Sequence, residues 1–368
     1  MLAPVVDGAI DAALLRAWEE LCSDLVEENP FYEPWSLGPA LDGFGRGRVS
    51  LACVWSGETL IGLLPVAAVR GYARMPLGYW KSWTHPHCYF AAPLVRTGWE
   101  EPVFNALFAL LGEGGGARGF LRFARMDRDG PLMSAAQAAA LREGRICYEA
   151  GAAERALLCA GASAEATLAV FLRKKKRKEL KRLRNRLEEK GKVDVREFSD
   201  GDDLTAWTDA FLSLEHSGWK AKKGTSLKAN DADAAWFRQT LAGARDAGKL
   251  HFIRIDLDGR PIAMLVSLLS GGAGYSLKIC HDPEFARYSP GVMVEIEAMR
   301  SLLERPDFRF MDSCAAPDHS MINGLWRARR EVTGLNVSGK GLTSRAALAL
   351  CRMLEGARAR LPAVQARP

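Results

Sequence analysis

Apolar residues along this chain recur with two different periods, and the switches between them mark out its elements. RVSLACVW and ETLIGLLPVAAV alternate as strands do and flank Ser56-Gly57, which predicts a hairpin preceded by a helix over about residues 11–28. Beyond YWKSWTHPHCYFAAPLV the patterns predict a helix in EPVFNALFALLGEG, a strand in GFLRFARMD, a helix in AAQAAALREG and a strand in RICYEA. The same order then returns at greater length. Helices in DDLTAWTDAFLSLEHSGW and AAWFRQTLAGARDAG lead to KLHFIRIDLDG and RPIAMLVSLLSGG, a hairpin turned at Asp258-Gly259. A third strand AGYSLKICH, a helix from Gly291, a strand FRFMDS, a helix MINGLWRARR, a strand EVTGLNVS and a last helix over TSRAALALCRMLEGARARL complete the chain.

Between the two runs lies one long predicted helix, about 165–190, with Phe171, Leu180, Leu183 and Leu187 on or near one stripe. The plan is therefore a mixed α/β fold built twice, alike in element order rather than in residue identity. It divides into an N-terminal half (1–163), a linker helix (164–191), a second half (192–342) and a C-terminal helix with its tail (343–368).

Composition changes this picture little. A chain of 368 residues, 48% hydrophobic and 26% charged, is long enough for two domains and has the balance of a soluble globular protein. No apolar run reaches the roughly 18 residues that span a bilayer. The start, MLAPVVDGAIDAALLRAWEE, lacks the basic region of a signal peptide, so a cytoplasmic location is expected. The eight cysteines are scattered without CxxC pairs or zinc-finger spacing, so no metal site is expected from them. Charge is informative. RKKKRKELKRLRNR (173–186) holds ten Lys or Arg against one Glu, more than the whole net charge of +6.

Candidate chemistry gathers after the third strand of the second half. In KICHDPEFARYSPG (278–291) a strand gives way to a polar loop and then a helix, whose first amides point outward and favour an anion such as phosphate. Arg287 can add a charge-assisted contact, Ser289 can cap, Pro290 suits the first turn, and Gly291 lets the backbone approach an anion closely. These residues, with LEHSGWKAKKGTSL (214–227), DGRPIAM (258–264) and DSCAAPDHSMINGLW (312–326), resemble the two-domain branch of the GNAT N-acetyltransferases named after a cellulose-biosynthesis acetyltransferase, distant kin of the Fem transferases. NPFYEPW (29–35) and IGLLPV (61–66) fit the same branch, so the resemblance covers most of the chain. That branch more often carries Tyr or Phe at the position of His281, so the role of this residue does not transfer.

The resemblance implies tandem GNAT-like halves, each a mixed, mostly antiparallel sheet flanked by helices, of which only the second holds an acyl thioester. Acyl-CoA, or an acyl-carrier-protein thioester, would be co-substrate, with no permanently bound cofactor. The donor would lie against Lys278, Cys280, His281, Arg287, Ser289, Pro290, Gly291 and Val292. Amide formation needs a neutral amine and therefore a base. His319 is the leading candidate because its ordinary titration range suits proton transfer. Asp312 could orient a histidine or receive the amine, and Glu215 or His216 could be the base instead. Trp219, Lys220, Cys314, His85 and His87 are candidates for contact with the acceptor, expected where the halves meet. Cys314 with His319 also admits a nucleophile reading, and His85 with His87 a metal pair, but direct transfer needs no covalent intermediate and no third ligand is evident.

The expected function is transfer of an acyl group from a thioester to an amine. A lipid amine such as a sphingoid base is the first acceptor, as in the bacterial ceramide synthases of this type, within cell-envelope biosynthesis. The basic run would meet an anionic membrane on its inner face; nucleic acid is disfavoured because no stacking aromatics interrupt it. The alternatives are a sugar acceptor in exopolysaccharide modification, Fem-like transfer from aminoacyl-tRNA, and a non-catalytic module that docks on membrane or nucleic acid.

Overall fold

A computed structural model describes residues 2–4, 10–45, 47–72, 77–112, 119–161 and 163–359. The strand β1 (Leu2–Pro4) and helix α1 (Ala12–Leu21) come first, followed by α2 (Pro34–Ala40) and the hairpin β2 (Val49–Ser56) and β3 (Thr59–Val69). Short strands β4 (Tyr79–Ser82) and β5 (Leu94–Val95) precede α3 (Glu100–Gly112), β6 (Phe120–Asp127), α4 (Pro131–Arg142) and β7 (Cys147–Cys159). Next are α5 (Ala164–Phe171), α6 (Lys174–Glu188), β8 (Val193–Glu197), α7 (Leu204–Ser217), α8 (Trp219–Lys222) and α9 (Asp231–Asp246). Strands β9 (Leu250–Leu257), β10 (Arg260–Ser270) and β11 (Ala273–His281) lead to α10 (Pro290–Leu303), β12 (Phe310–Asp312), α11 (Ser320–Leu325), β13 (Ala328–Ser338) and α12 (Leu342–Ala359).

The described residues fall into two compact units. One takes them from Met1–Pro34, Gly45–Ala153 and Glu331–Pro368, the other from Trp35–Phe44 and Glu154–Arg330. In the first unit the strand order is β1-β2-β3-β4-β6-β13 and then the start of β7; from β1 to β13 the pairs are antiparallel except where β4 runs parallel to β6. In the second it is the end of β7, then β12-β11-β10-β9-β8, antiparallel except where β11 runs parallel to β12. Each unit thus has the expected mixed, mostly antiparallel sheet. The units are not simple successive stretches of the chain: β13 from Glu331 onward and α12 group with the first unit, and the end of β7 with the second.

Local chemistry explains the second unit's frame. Asp258 and Gly259 both take positive φ, 50° and 79°, as the tight β9–β10 turn requires. Asp203 and Asn230 cap α7 and α9 by accepting from Thr205 and Ala206 and from Ala232 and Asp233. One face of β9 and β10 buries Ile253, Ile255, Ile262 and Leu265 against Val294 and Ala298 of α10 and Leu183 and Leu187 of α6. On α7 and α9, Phe211 packs against both Phe252 of β9 and Phe237.

Two predicted helices are shorter than their patterns. The helix expected over 165–190 breaks at Leu172, which is extended (φ −99°, ψ 123°), into α5 and α6. The break lets Leu168, Leu172 and Leu180 enter one core cluster together. The helix expected through MINGLWRARR ends at Leu325, because Arg330 is drawn onto the buried carboxylate of Asp312 and the chain is already extended at Ala328. Among the described residues no helix is long and apolar enough to cross a membrane.

Candidate active site

The second unit's parallel pair is short. Ala273, Gly274 and Tyr275 of β11 pair with Phe310, Met311 and Asp312 of β12, and there the pairing stops while β11 continues to His281. On its other edge β11 stays paired with β10, with one irregularity: Val266 faces Lys278 and Ser267 faces Ser276, so Leu277 is a bulge. The last residues of β11 therefore run past β12 and are re-aimed by the bulge just before the polar loop.

That loop is a 3-10 turn, Pro283–Tyr288, capped by buried Asp282, which accepts from the Glu284 N–H at 2.9 Å and pairs with Arg260. Ser289 has φ 57°, and its hydroxyl does not cap α10; this replaces the expected role of Ser289 as a side-chain cap, because a left-handed residue aims its side chain away from the helix axis. Its carbonyl accepts from Val292 and Met293 N–H at 3.0 and 3.2 Å, and its N–H donates to Ala286. Of the amides expected to face an anion, those of Ser289 and Val292 are thus committed internally. Pro290 has none, and Gly291, second in the helix, has no intrahelical acceptor. Gly291 is itself buried, and a Cβ there would meet Nδ1 of His281 at 3.4 Å, an ordinary contact, so the imidazole is the nearest neighbour of this corner. Arg287 is exposed, its guanidinium 4.8 Å from the Tyr288 ring centroid. Val292 is half-buried against the core cluster that includes Ile296.

A pocket of about 290 Å³ opens at the end of β11, between α7, α8 and the 3-10 turn, lined by Glu215, Lys220, Cys280, His281, Pro283 and Ala286 among others. Glu215 is buried. One carboxylate oxygen accepts from Lys220 Nζ at 2.7 Å and the other from the Leu227 N–H at 2.8 Å. The alternation along β11 holds: Cys280 lies against the carbonyl of Phe211 on α7, while Ile279 packs on the α10 side. Burial pushes the Cys280 thiol well above its ordinary range, and the charge of Glu215 adds to it, so this cysteine is a neutral wall. Burial also lowers the Lys278 ammonium, opposed by Glu215, Asp233 and Cys314, and lowers His281, opposed by Asp282.

The remaining sequence candidates are dispersed. Asp312 is fully buried, accepting from Arg155 at 3.4 Å, Arg330 at 3.3 Å and the Cys314 N–H at 2.8 Å. It is a neutralised structural carboxylate at the end of the parallel pair rather than a solvent-facing base. Cys314, half-buried with φ 51°, sits in the following loop. His319 is exposed and caps α11, its Nδ1 accepting weakly from Ile322 N–H at 3.5 Å. His216 bonds Ser226 Oγ at 2.9 Å. Trp219 opens α8, and its side chain lies outside the described residues. His85 and His87 belong to the other unit, where both are buried, with ring centroids 6.1 Å apart. Among the described residues no cluster of three metal-ligating side chains forms.

The pocket thus unites Glu215, Lys220, Cys280 and His281, but not His319 or Asp312. Sequence reasoning missed Asp282, although Asp-Pro directly after a strand is a turn signal. It also missed Arg155 and Arg330, whose pairing with Asp312 no local pattern records.

Comparison with known proteins fits this geometry. Residues 174–319, from α6 to the cap of α11, match the model of the acetyltransferase (GNAT) domain. A search of the curated proteins returns no match. Among solved structures the chain resembles FemX, with 10% identity, coverage of 94% of this chain and 99% of that one, and a TM-score of 0.59. It also resembles the C-terminal domain of a putative lysylphosphatidylglycerol synthetase from Agrobacterium fabrum, at 13% identity, 92% and 95% coverage and a TM-score of 0.55. L-PGS from Bacillus licheniformis is similar at 13% identity, 94% and 97% coverage and a TM-score of 0.52. At such identities the structural likeness speaks for the fold alone. The chain has a GNAT acetyltransferase-type fold, and its second unit carries the matched domain.

Proposed function

We propose that the protein is an acyl-CoA-dependent N-acyltransferase whose chemistry takes place at the free end of β11. The observation that carries this reading is that β11 outruns β12 and ends between the start of α10 and a pocket holding a buried carboxylate. A pantetheine arm pairs with strand backbone as an added strand would, so the stretch of β11 beyond Tyr275 suits it. The diphosphate falls at the Gly291 amide with Arg287 beside it. The amine attacks the thioester carbonyl carbon, the C–S bond breaks, and the thiolate of CoA leaves and is protonated. Glu215 takes the proton from the amine, because it lines the pocket while His319 is spent on capping; Lys220 holds its carboxylate in place.

For the acceptor we infer a lipid amine such as a sphingoid base, in envelope biosynthesis on the inner face of the membrane. The basic helix α6 supports contact with anionic lipid, and one of the similar structures carries a lipid in its name, a putative lysylphosphatidylglycerol synthetase. The same name, and the likeness to FemX, favour one second reading, transfer of an aminoacyl group.

Incubating the purified chain with acyl-CoAs of several lengths or with aminoacyl-tRNA, and with a panel of lipid and sugar amines, while following thiol release and acylated product, separates the readings. Thiol release that requires both a CoA thioester and a sphingoid base is the expected result. Turnover only with a sugar amine moves the acceptor, turnover only with aminoacyl-tRNA replaces the donor, and silence with every donor removes the proposal.

A further inference from the structure

A second hollow of about 320 Å³ lies between α5, α6 and α10, and it shares no lining residue with the pocket of Glu215. Its floor is made by Leu168, Leu172, Leu180, Met293 and Ile296. Its mouth is made by charge. Glu165 and Glu297 face it, but Arg300 takes Glu165 at 3.0 Å, and Arg184 and Arg300 together take Glu297 at 2.9 and 2.8 Å. Arg177 and Lys181 remain at the rim, exposed and without a carboxylate partner among the described residues. An apolar slot with two surplus cations at its lip is complementary to one kind of ligand, a hydrocarbon chain ending in an anion.

The surroundings select the source. Lys174, Lys175, Lys176 and Lys178 are exposed on the same first turns of α6, and Val170, 65% exposed, stands just before them on α5. A cationic turn beside an exposed aliphatic side chain suits the boundary of an anionic bilayer. We propose that this groove binds an anionic phospholipid, one acyl chain lying on the leucine floor and the phosphate resting on Arg177 and Lys181. This goes beyond the transferase reading and does not depend on it: a membrane lipid would be gripped singly here, not merely attracted.

The test uses the full chain and no turnover. Flotation with phosphatidylcholine vesicles is compared with vesicles that also contain phosphatidic acid. Calorimetry measures lysophosphatidic acid as a monomer, with glycerol 3-phosphate as the chainless headgroup, palmitate as the chain with another anion, and coenzyme A as competitor. The expected result is flotation only with phosphatidic acid and one-to-one binding of lysophosphatidic acid that glycerol 3-phosphate does not reproduce. The double variant Arg177→Gln with Lys181→Gln, on an exposed face, should weaken that binding by about thirtyfold with an unchanged circular dichroism spectrum. Equal affinity for glycerol 3-phosphate would leave the groove without a role. Competition by coenzyme A would assign it to the nucleotide of the donor, and palmitate binding without flotation would rule out a bilayer source. Each of these overturns the proposal, as does wild-type affinity in the double variant.

Discussion

Histidine is the residue type most often used for proton transfer near neutrality, yet the place of His319 gives it a different task. It is exposed and spends Nδ1 on the first turn of α11, whereas Glu215 is buried, fixed by two hydrogen bonds and turned into a pocket. Replacing Glu215 by Gln keeps a group that can accept from Leu227 and removes the base. The rate constant kcat should fall by about 10²–10⁴, while His319→Ala should change it by less than about threefold; steady-state kinetics on the two variants decides between them. Asp312 shows the opposite combination, a carboxylate that looks catalytic in sequence and is structural in place. Truncating it to Ala would leave Arg155 and Arg330 without the anion they share in the interior. A loss of about 3–5 kcal/mol is expected, read as a lowered denaturation midpoint in urea.

Elements were legible where the chain's own neighbours decide them. The alternation in AGYSLKICH marks β11 to its last residue, Asp258-Gly259 marks the β9–β10 turn, and SPG marks the start of α10. Partners were not legible, because a two-residue period tells which face is buried and nothing of which strand lies alongside. Hence the bulge at Leu277 and the three-residue limit of the β11–β12 pair, the two features that shape the candidate site, left no mark on the sequence pattern. For the same reason EVTGLNVS reads as the last strand of the second half, while in the structure it pairs with β6. Its glycine records that pairing: a Cβ on Gly334 would come within 2.9 Å of the Phe123 carbonyl oxygen and 3.0 Å of that of Ala150. Backbone cannot yield as a flexible side chain can. Gly334→Ala should therefore destabilise by about 1–3 kcal/mol, although alanine is the better-ordered residue, and a lowered thermal midpoint would report it.

Over the whole molecule, stability is coupled to pH through two buried groups that act in opposite directions. Glu295 on α10 is pushed up by burial from 4.5 to about 8. The folded chain therefore holds a proton that the unfolded chain has released, so this stabilisation is complete below pH 4.5 and is lost as pH rises through about 8. His251 on β9, whose Nε2 lies 3.2 Å from Ser301 Oγ, is pulled down from 6.5 to about 3 by burial first and by Arg305 second. There the unfolded chain binds the extra proton, so the contribution is complete above pH 6.5 and lost as pH falls through about 3. Where the two windows overlap, near pH 4.5–6.5, the gain from His251 and the loss from Glu295 offset one another; above 6.5 the slope of Glu295 is no longer opposed by His251. Glu295→Gln keeps the shape and removes the proton. The variant should match the wild type in thermal midpoint near pH 5 and exceed it progressively up to pH 8, where unfolding of the wild type begins to require no further proton release. Parallel midpoint curves for the two proteins across that range would mean that the Glu295 carboxyl is already ionised in the fold.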